Sequence, residues 1–293
     1  MLSLNTNLAA LSTQNSLSAS QKALSTSMAR LGTGYRVNSA MDDAAGLQIA
    51  TRLNAQTRGM AVAQKNTQNG ISMMQTAEGA FSEVTDILQR MKDLATEAYT
   101  ASTTSTDQTA MQSEFDALGT ELGNIVKNTS FGGKQLFSNG TTTDGSGGLL
   151  STATLTFQIG ASAGETMKVD TQTSLTAVAT ALDSASSNYA TPGTAGTELT
   201  GGSNAIITTL STALDAVGSF RSTLGAASNR LDHVYNNLAN MSTNTSAAKG
   251  RIMDVDYATE TSNMTSKQML LQAGTSMLKQ SNSMSQMVLS LMQ

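Results

Sequence analysis

Few side chains in this sequence could do chemistry, and their spacing argues against an enzyme. There is no Cys, and the one His, His233, lies between Asp232 and Val234 inside a continuous helical apolar pattern. Any Ser-His-Asp or Cys-His set would rest on that residue alone. A zinc site needs four N or S ligands, or three and a water, and the inventory does not supply them. Asp42 with Asp43, and Asp254 with Asp256, invite a hard-cation pair. Neighbouring residues on a helix point about 100° apart, however, and carboxylates in such places serve as caps and partners of the helix dipole. The glycine-bearing segments contain neither a GxxxxGK[ST] loop nor a GxGxxG turn between strand and helix. A hydrolase built on Asp254 or Glu260 would have no constellation behind it. The expectation is no catalytic residue, no metal and no cofactor. Asn128-Thr129-Ser130, Asn139-Gly140-Thr141 and Asn244-Thr245-Ser246 match the N-glycosylation triplet, a short and weak signal.

The elements that would position any site are long helices. Ile49, Leu53, Met60, Ala63, Met74, Ala77, Phe81, Val84, Leu88, Met91, Ala95 and Ala98 fall on one three-four ladder, interrupted by Gln56, Thr67 and Gly70. Leu210, Ala213, Val217, Phe220, Leu224, Ala227, Leu231, Val234, Leu238 and Met241 form a second, uninterrupted one. Such alternation averages about 3.5 residues, the period of helices packed along a seam. The class expected is mainly α: a long antiparallel helical rod with terminal coiled-coil helices and a small β-hairpin region. Met74, Phe81, Val84, Leu88, Met91, Leu210, Val217, Phe220, Leu224, Leu231 and Leu238 are its expected core.

Composition agrees. With 4% aromatic residues and apolar positions filled mostly by Ala, Leu and Met, cores must be thin and helical. A net charge of −4 and scattered Lys and Arg exclude the basic footprint of a nucleic-acid binder. No apolar run approaches the roughly 20 residues of a membrane span, so no membrane insertion is expected. The 17 Met lie mostly on helical stripes, where an unbranched thioether tolerates several packings.

The two ends are amphipathic but poor in charge. Leu4, Leu8 and Leu11 make one stripe, and Leu17, Leu24, Met28 and Leu31 another. Leu270, Met277, Met284 and Leu291 repeat at heptad spacing, with Val288 beside them. Helices without i,i+4 charge pairs are marginal alone in water. Either they form a hairpin within one chain, or they stay disordered until neighbouring chains cover them. Between the first helix and the next, Gly32 to Gly46 turns the chain, with Asn38 or Ser39 as the expected cap and Asp42 and Asp43 in the first turn. Asp107 is the expected cap of a helix bearing Met111, Phe115, Leu118, Leu122 and Ile125. Period-two alternation at Leu155–Ile159 and again at Glu165–Asp170 predicts a hairpin. A short helix is expected over Ser174–Ser184. Residues 186–204, with Pro192 and several glycines, are expected as an exposed loop. Met1 to Asn7 shows neither a basic nor an apolar signal region, which by itself implies a cytoplasmic protein.

Leu4-Asn5-Thr6-Asn7, Arg30-Leu31 through Arg36-Val37-Asn38-Ser39-Ala40, and Asp42-Asp43-Ala44-Ala45-Gly46 together resemble the amino-terminal half of bacterial flagellins. Gly70-Ile71-Ser72, Gln75 to Ala80 and Leu88 to Ala95 continue the match, as do Asp254 to Glu260, Gln272 to Ser276 and Val288 to Leu291 near the other end. Met41, where a Lys is common, Gln286 without a preceding Pro, and the ending Met292-Gln293 depart from the pattern. The resemblance implies a subunit of the helical flagellar filament. Residues 1–40 with 260–293 would form an inner coiled-coil domain, and 41–185 with 205–259, including the hairpin 154–170, a helical rod domain. Residues 186–204 would be an exposed variable loop. The terminal stripes, Leu4, Leu8, Leu11, Leu17, Leu24, Met28, Leu31, Leu270, Met277, Met284, Val288 and Leu291, would carry polymerisation. It further implies export without a cleaved signal through the type III apparatus, with an export chaperone, the filament cap and hook-associated proteins as partners. Host Toll-like receptor 5 would recognise Gln89, Arg90, Leu94 and Glu114. The competing readings are a hook–filament junction protein and, from a different class, a chemoreceptor-like signalling coiled coil.

Overall fold

The computed structural model describes residues 7–201 and 204–291, with side chains described to residue 284 and at residue 287. It is 74% helical, about twice the share of an ordinary domain, which leaves its two small hairpins a minor role. Contacts divide the chain into one unit of Met1–Thr57 with Thr243–Gln293 and another of Arg58–Ser242.

In the first unit, α1 (Leu8–Thr33) and α7 (Tyr257–Leu291) pack against each other. The Asn7 side chain caps α1 through the Ala10 N–H at 3.0 Å. Gly34 ends it in the left-handed region at φ 74°, where its N–H donates to the Arg30 carbonyl. A side chain there would meet the Tyr257 hydroxyl at 2.9 Å as well as pay the left-handed cost. Gly32 stays inside the helix, so only one of the two glycines is a stop. The next helix, α2 (Ala44–Ala98), is capped by Asp43, whose carboxylate accepts from the Gly46 N–H at 2.8 Å, rather than by Asn38 or Ser39. Those two residues instead donate their N–H groups to Asp42, closing the turn before it. The start of α2 and the end of α6 (Ala205–Met253) share this unit, with Lys249 Nζ donating to Asn54 Oδ1 at 3.4 Å. Asp256 caps α7 through the N–H groups of Ala258 and Thr259.

In the second unit the rest of α2 packs along α6. Leu210, Ala213, Val217, Phe220, Leu224, Ala227, Leu231 and Leu238 of α6 are buried, opposite Met60, Ala63, Met74, Ala77, Phe81, Val84, Leu88, Met91, Ala95 and Ala98. Two of the apparent interruptions belong to this face. Thr67 is fully buried because its hydroxyl donates to the Ala63 carbonyl at 2.8 Å, within its own helix. Gly70 is where β3 comes closest: a Cβ there would stand 2.9 Å from Phe157. Ile49, counted on the ladder, lies off it and is exposed, while Ala50 is buried. Phe81, Phe137 and Phe220 meet edge to face, with Phe81 centred 4.8 Å from each of the others.

α3 (Ser105–Asn128) starts in a capping box in which Thr104, not Asp107, is the cap and Asp107 reciprocates. After it come a two-residue ribbon, β1 (Ser130–Phe131) with β2 (Lys134–Gln135), and the expected hairpin, β3 (Leu155–Gln158) with β4 (Thr166–Val169). α4 (Gln172–Ala185) and α5 (Ser187–Ala190) follow. The stretch 186–204 is not a bare exposed loop. Tyr189 and Leu199 are buried, and the Tyr189 hydroxyl donates to the Thr143 carbonyl at 2.6 Å. Gln112 accounts for much of this order. Its Oε1 accepts from the Leu199 N–H at 2.7 Å, while its Nε2 donates to both Asp116 and Glu198.

Candidate functional site

The unusual surface is that of the α1·α7 pair. The helices run antiparallel: Asn7 donates to Ser281 at 3.2 Å at one end, and Arg30 pairs with the buried Glu260 at 3.8 Å at the other. The half-buried positions of α1 include the series Ala10, Thr13, Leu17, Ser20, Leu24 and Leu31, with Ser27 buried among them and Ala23, Thr26 and Arg30 beside it. Those of α7 are Met264, Lys267, Leu271, Gly274, Leu278 and Ser281. Both sets step by three and four, as a packed seam must. Small residues let the helices approach closely, and a Cβ at Gly274 would stand 3.2 Å from Leu17 Cδ1.

This seam sorts the terminal residues singled out from the sequence. Leu17, Leu24 and Leu31 lie in it. Leu8, Leu11, Met28, Leu270, Met277 and Met284 do not, and each is more than half exposed. Leu4 lies outside the described residues, as do the side chains of Val288 and Leu291. The heptad stripe Leu270, Met277, Met284 therefore does not pair with α1 in the single chain. It stands roughly 90° round α7 from the seam, with Leu270 and Met277 each one residue before a seam position. The seam ladder escaped notice because Lys267, Gly274 and Ser281 break its apolar character, whereas the outer stripe repeats cleanly. Its signal was the unbroken three-four spacing from Met264 to Ser281. On α1, Leu8 and Leu11 lie roughly 150° from the seam, facing away from α7.

Outside the seam the pair thus exposes apolar side chains on both helices, nearly free of charge. Lys22 and Arg30 are the charged residues of α1, and Glu260, Lys267 and Lys279 those of α7. Burying one such Leu or Met yields about 1.5–3 kcal/mol, so several together can offset the cost of association. The arrangement can bind helices. It offers no reactive group.

A second candidate surface lies on α2 and α3. Arg90 donates to Glu114 Oε1 at 2.8 Å through Nε and 2.7 Å through Nη2, and both side chains are exposed, as is Gln89. Leu94 is not part of that surface. It is 2% exposed and packs in the core, so one helical turn from Arg90 takes the chain from solvent to interior.

The residues considered for catalysis are dispersed. His233 is exposed on α6, and Asp256 is committed to capping α7. Hydrogen bonds from the Thr259 hydroxyl, then from the Thr259 and Ala258 amides, hold the Asp256 carboxyl below the usual carboxylate range. Among the described residues, no group of three or more His, Cys, Asp or Glu is placed to hold a metal ion. No described helix is long and apolar enough to cross a membrane.

Comparison with known proteins accords with this geometry. Residues 4–142 match the bacterial flagellin N-terminal helical region, and residues 207–292 the bacterial flagellin C-terminal helical region. Flagellin C of Vibrio cholerae is 47% identical over 169 residues, covering 58% of this chain and 42% of that protein. The B-type flagellin of Pseudomonas aeruginosa is 47% identical over 171 residues, covering 58% of this chain and 33% of that one. The chain spans less than half the length of these two relatives. The crystal structure of Bacillus cereus flagellin superposes with a TM-score of 0.44 at 30% identity, covering 63% of this chain and 94% of that one. Matched at both ends by the family's two helical regions, this chain belongs to the bacterial flagellins, which are structural proteins and not enzymes.

Proposed function

We propose that this chain polymerises with copies of itself into the helical filament of a bacterial flagellum, outside the cell, and so serves swimming motility. The observation that carries the reading is the set of apolar side chains that the α1·α7 pair leaves exposed, Leu8 and Leu11 on α1 and Leu270, Met277 and Met284 on α7. Within one chain these residues face solvent, and only other chains can bury them. Heterologous contacts that do not close into a ring build an open helix. In that polymer, residues 1–40 with 260–293 form the inner layer that lines the channel, and 41–185 with 205–259 the layer around it.

The terminal helices suit export in an unfolded state. Few charge pairs support them, and polymerisation supplies the burial they lack, so they order as subunits add. Family membership supports the remaining partners: an export chaperone, the type III export apparatus, the filament cap and hook-associated proteins. Recognition by Toll-like receptor 5 would use Gln89, Arg90 and Glu114, with Leu94 acting from beneath them. If Arg90→Asp left receptor activation by soluble subunit unchanged, that assignment would be wrong.

Limited proteolysis of subunit and polymer tests the main reading. Both termini should be cut back in the subunit and protected after polymerisation. Equal protection in the two states would remove the coupling of folding to assembly.

A further inference from the structure

We infer that Met269, Met277 and Met284 make polymerisation of this chain sensitive to two-electron oxidants, through sulfoxide formation on α7; the inference rests on the reading that neighbouring copies bury the exposed side of α7, on which Met269 precedes Leu270. The methionines range from buried to exposed, and Met28, Met41 and Met287 are 51%, 93% and 60% exposed. Met60, Met74 and Met91 lie in the core at 1%, 1% and 0% exposure, whereas Met269, Met277 and Met284 are 59%, 64% and 59% exposed. The chain has no Cys, so exposed thioethers are its most readily oxidised groups. Ala273 and Gln280, one turn either side of Met277, are uncharged and expose it.

The oxidant is a peroxide, written here as hydrogen peroxide. A sulfur lone pair attacks one peroxide oxygen, the S–O bond forms as the O–O bond breaks, and the second oxygen leaves as water after taking the proton from the first. Sulfur loses two electrons and the peroxide gains them. The sulfoxide oxygen is a strong acceptor, and burying it without a donor is unfavourable. Oxidised subunits are therefore rejected at a growing end, while subunits already packed keep these sulfurs covered.

Full-length soluble chain is treated with limiting hydrogen peroxide, mapped by peptide mass spectrometry, and seeded for polymerisation. Met269, Met277 and Met284 should oxidise at least tenfold faster than Met60, Met74 and Met91, and the critical concentration should rise at least tenfold. The triple variant M269L/M277L/M284L should polymerise equally before and after treatment, whereas M28L/M41L/M287L, which removes other exposed methionines, should lose assembly on treatment as wild type does. Methionine sulfoxide reductase should restore assembly of the oxidised wild-type chain. Equal oxidation rates in the two sets, unchanged assembly after oxidation, loss of assembly by the treated triple variant, or no restoration by the reductase would each overturn the inference. Leu270→Asp in untreated chain separates the two claims. If it blocks assembly while oxidised wild-type chain still polymerises, only the oxidation inference falls; if it polymerises like wild type, the face is not a filament contact and both fall.

Discussion

Gly274 offers a quantitative test of how α1 sits on α7. A Cβ added there would stand 3.2 Å from Leu17 Cδ1, tighter than ordinary contact but against the end of a half-exposed side chain. Gly274→Ala gains about 1 kcal/mol of helix propensity. Leu17 can retreat a few tenths of an ångström, so the gain should survive largely intact. Gly274→Val adds two further methyl groups where Leu17 packs, and overfilling such a contact costs about 1–3 kcal/mol. Valine recovers only part of the propensity gain, so the net loss is about 1–2 kcal/mol. Because 1.4 kcal/mol is roughly tenfold in an equilibrium constant, the critical concentration for polymerisation should rise about tenfold in Gly274→Val. In Gly274→Ala it should stay level or fall. Sedimentation of seeded reactions over a concentration series reads this directly. Critical concentrations for the Val and Ala variants that both stay level with or below wild type would refute the close approach of α1 to α7 at this point. A tenfold rise in both would show that Leu17 cannot move.

The remaining predictions concern stability and pH. Phe220→Ala removes a fully buried ring that meets Phe81 edge to face, and urea unfolding should show a loss of about 3–5 kcal/mol. Gly225→Ala, on α6 with nothing near its would-be Cβ, should raise subunit stability by up to about 1 kcal/mol, seen as a higher melting temperature. Gln112→Ala leaves the buried Leu199 N–H without its acceptor, and hydrogen exchange in 187–199 should quicken, with about 1–3 kcal/mol lost locally. For Glu198, burial pushes the pKa up, but hydrogen bonds from Ser187 and Gln112 outweigh it and hold the carboxyl below its ordinary 4.5. The stability it contributes is therefore present above that ordinary value and lost as pH falls through the lower folded value. Proteolysis within 187–199 should be slow at pH 6 and rise in strong acid, and a flat profile would argue against this carboxylate as the clamp.

Much of the architecture was legible because its signals are local. The α6 ladder buries from Leu210 to Leu231 and at Leu238, since a three-four repeat leaves a helix one apolar face, but Val234 is half-buried and Met241, read onto its end, is exposed. The hairpin Leu155–Asp170 was legible for the same reason, through its period-two alternation. Caps were displaced by three to five residues. Asn38 and Ser39 have the chemistry of a cap, but Asp42 engages their N–H groups in a turn, so the helix starts later, at Asp43. The stretch 186–204 was misjudged because its order comes from Gln112, more than seventy residues earlier, which no local pattern announces.

The candidate assembly surface divides the same way. The sequence by itself determined that both ends are helical, apolar on more than one stripe and short of charge, and its motifs pointed to the flagellins. It could not determine which stripe meets which helix. An α-helix carrying Leu270, Met277 and Met284 beside Met264, Leu271 and Leu278 has two usable faces, and hydrophobicity favours the first. Tertiary packing chose the second, because Gly274 and Ser281 let α1 approach where a larger residue would hold it away. That choice left the more apolar face outside.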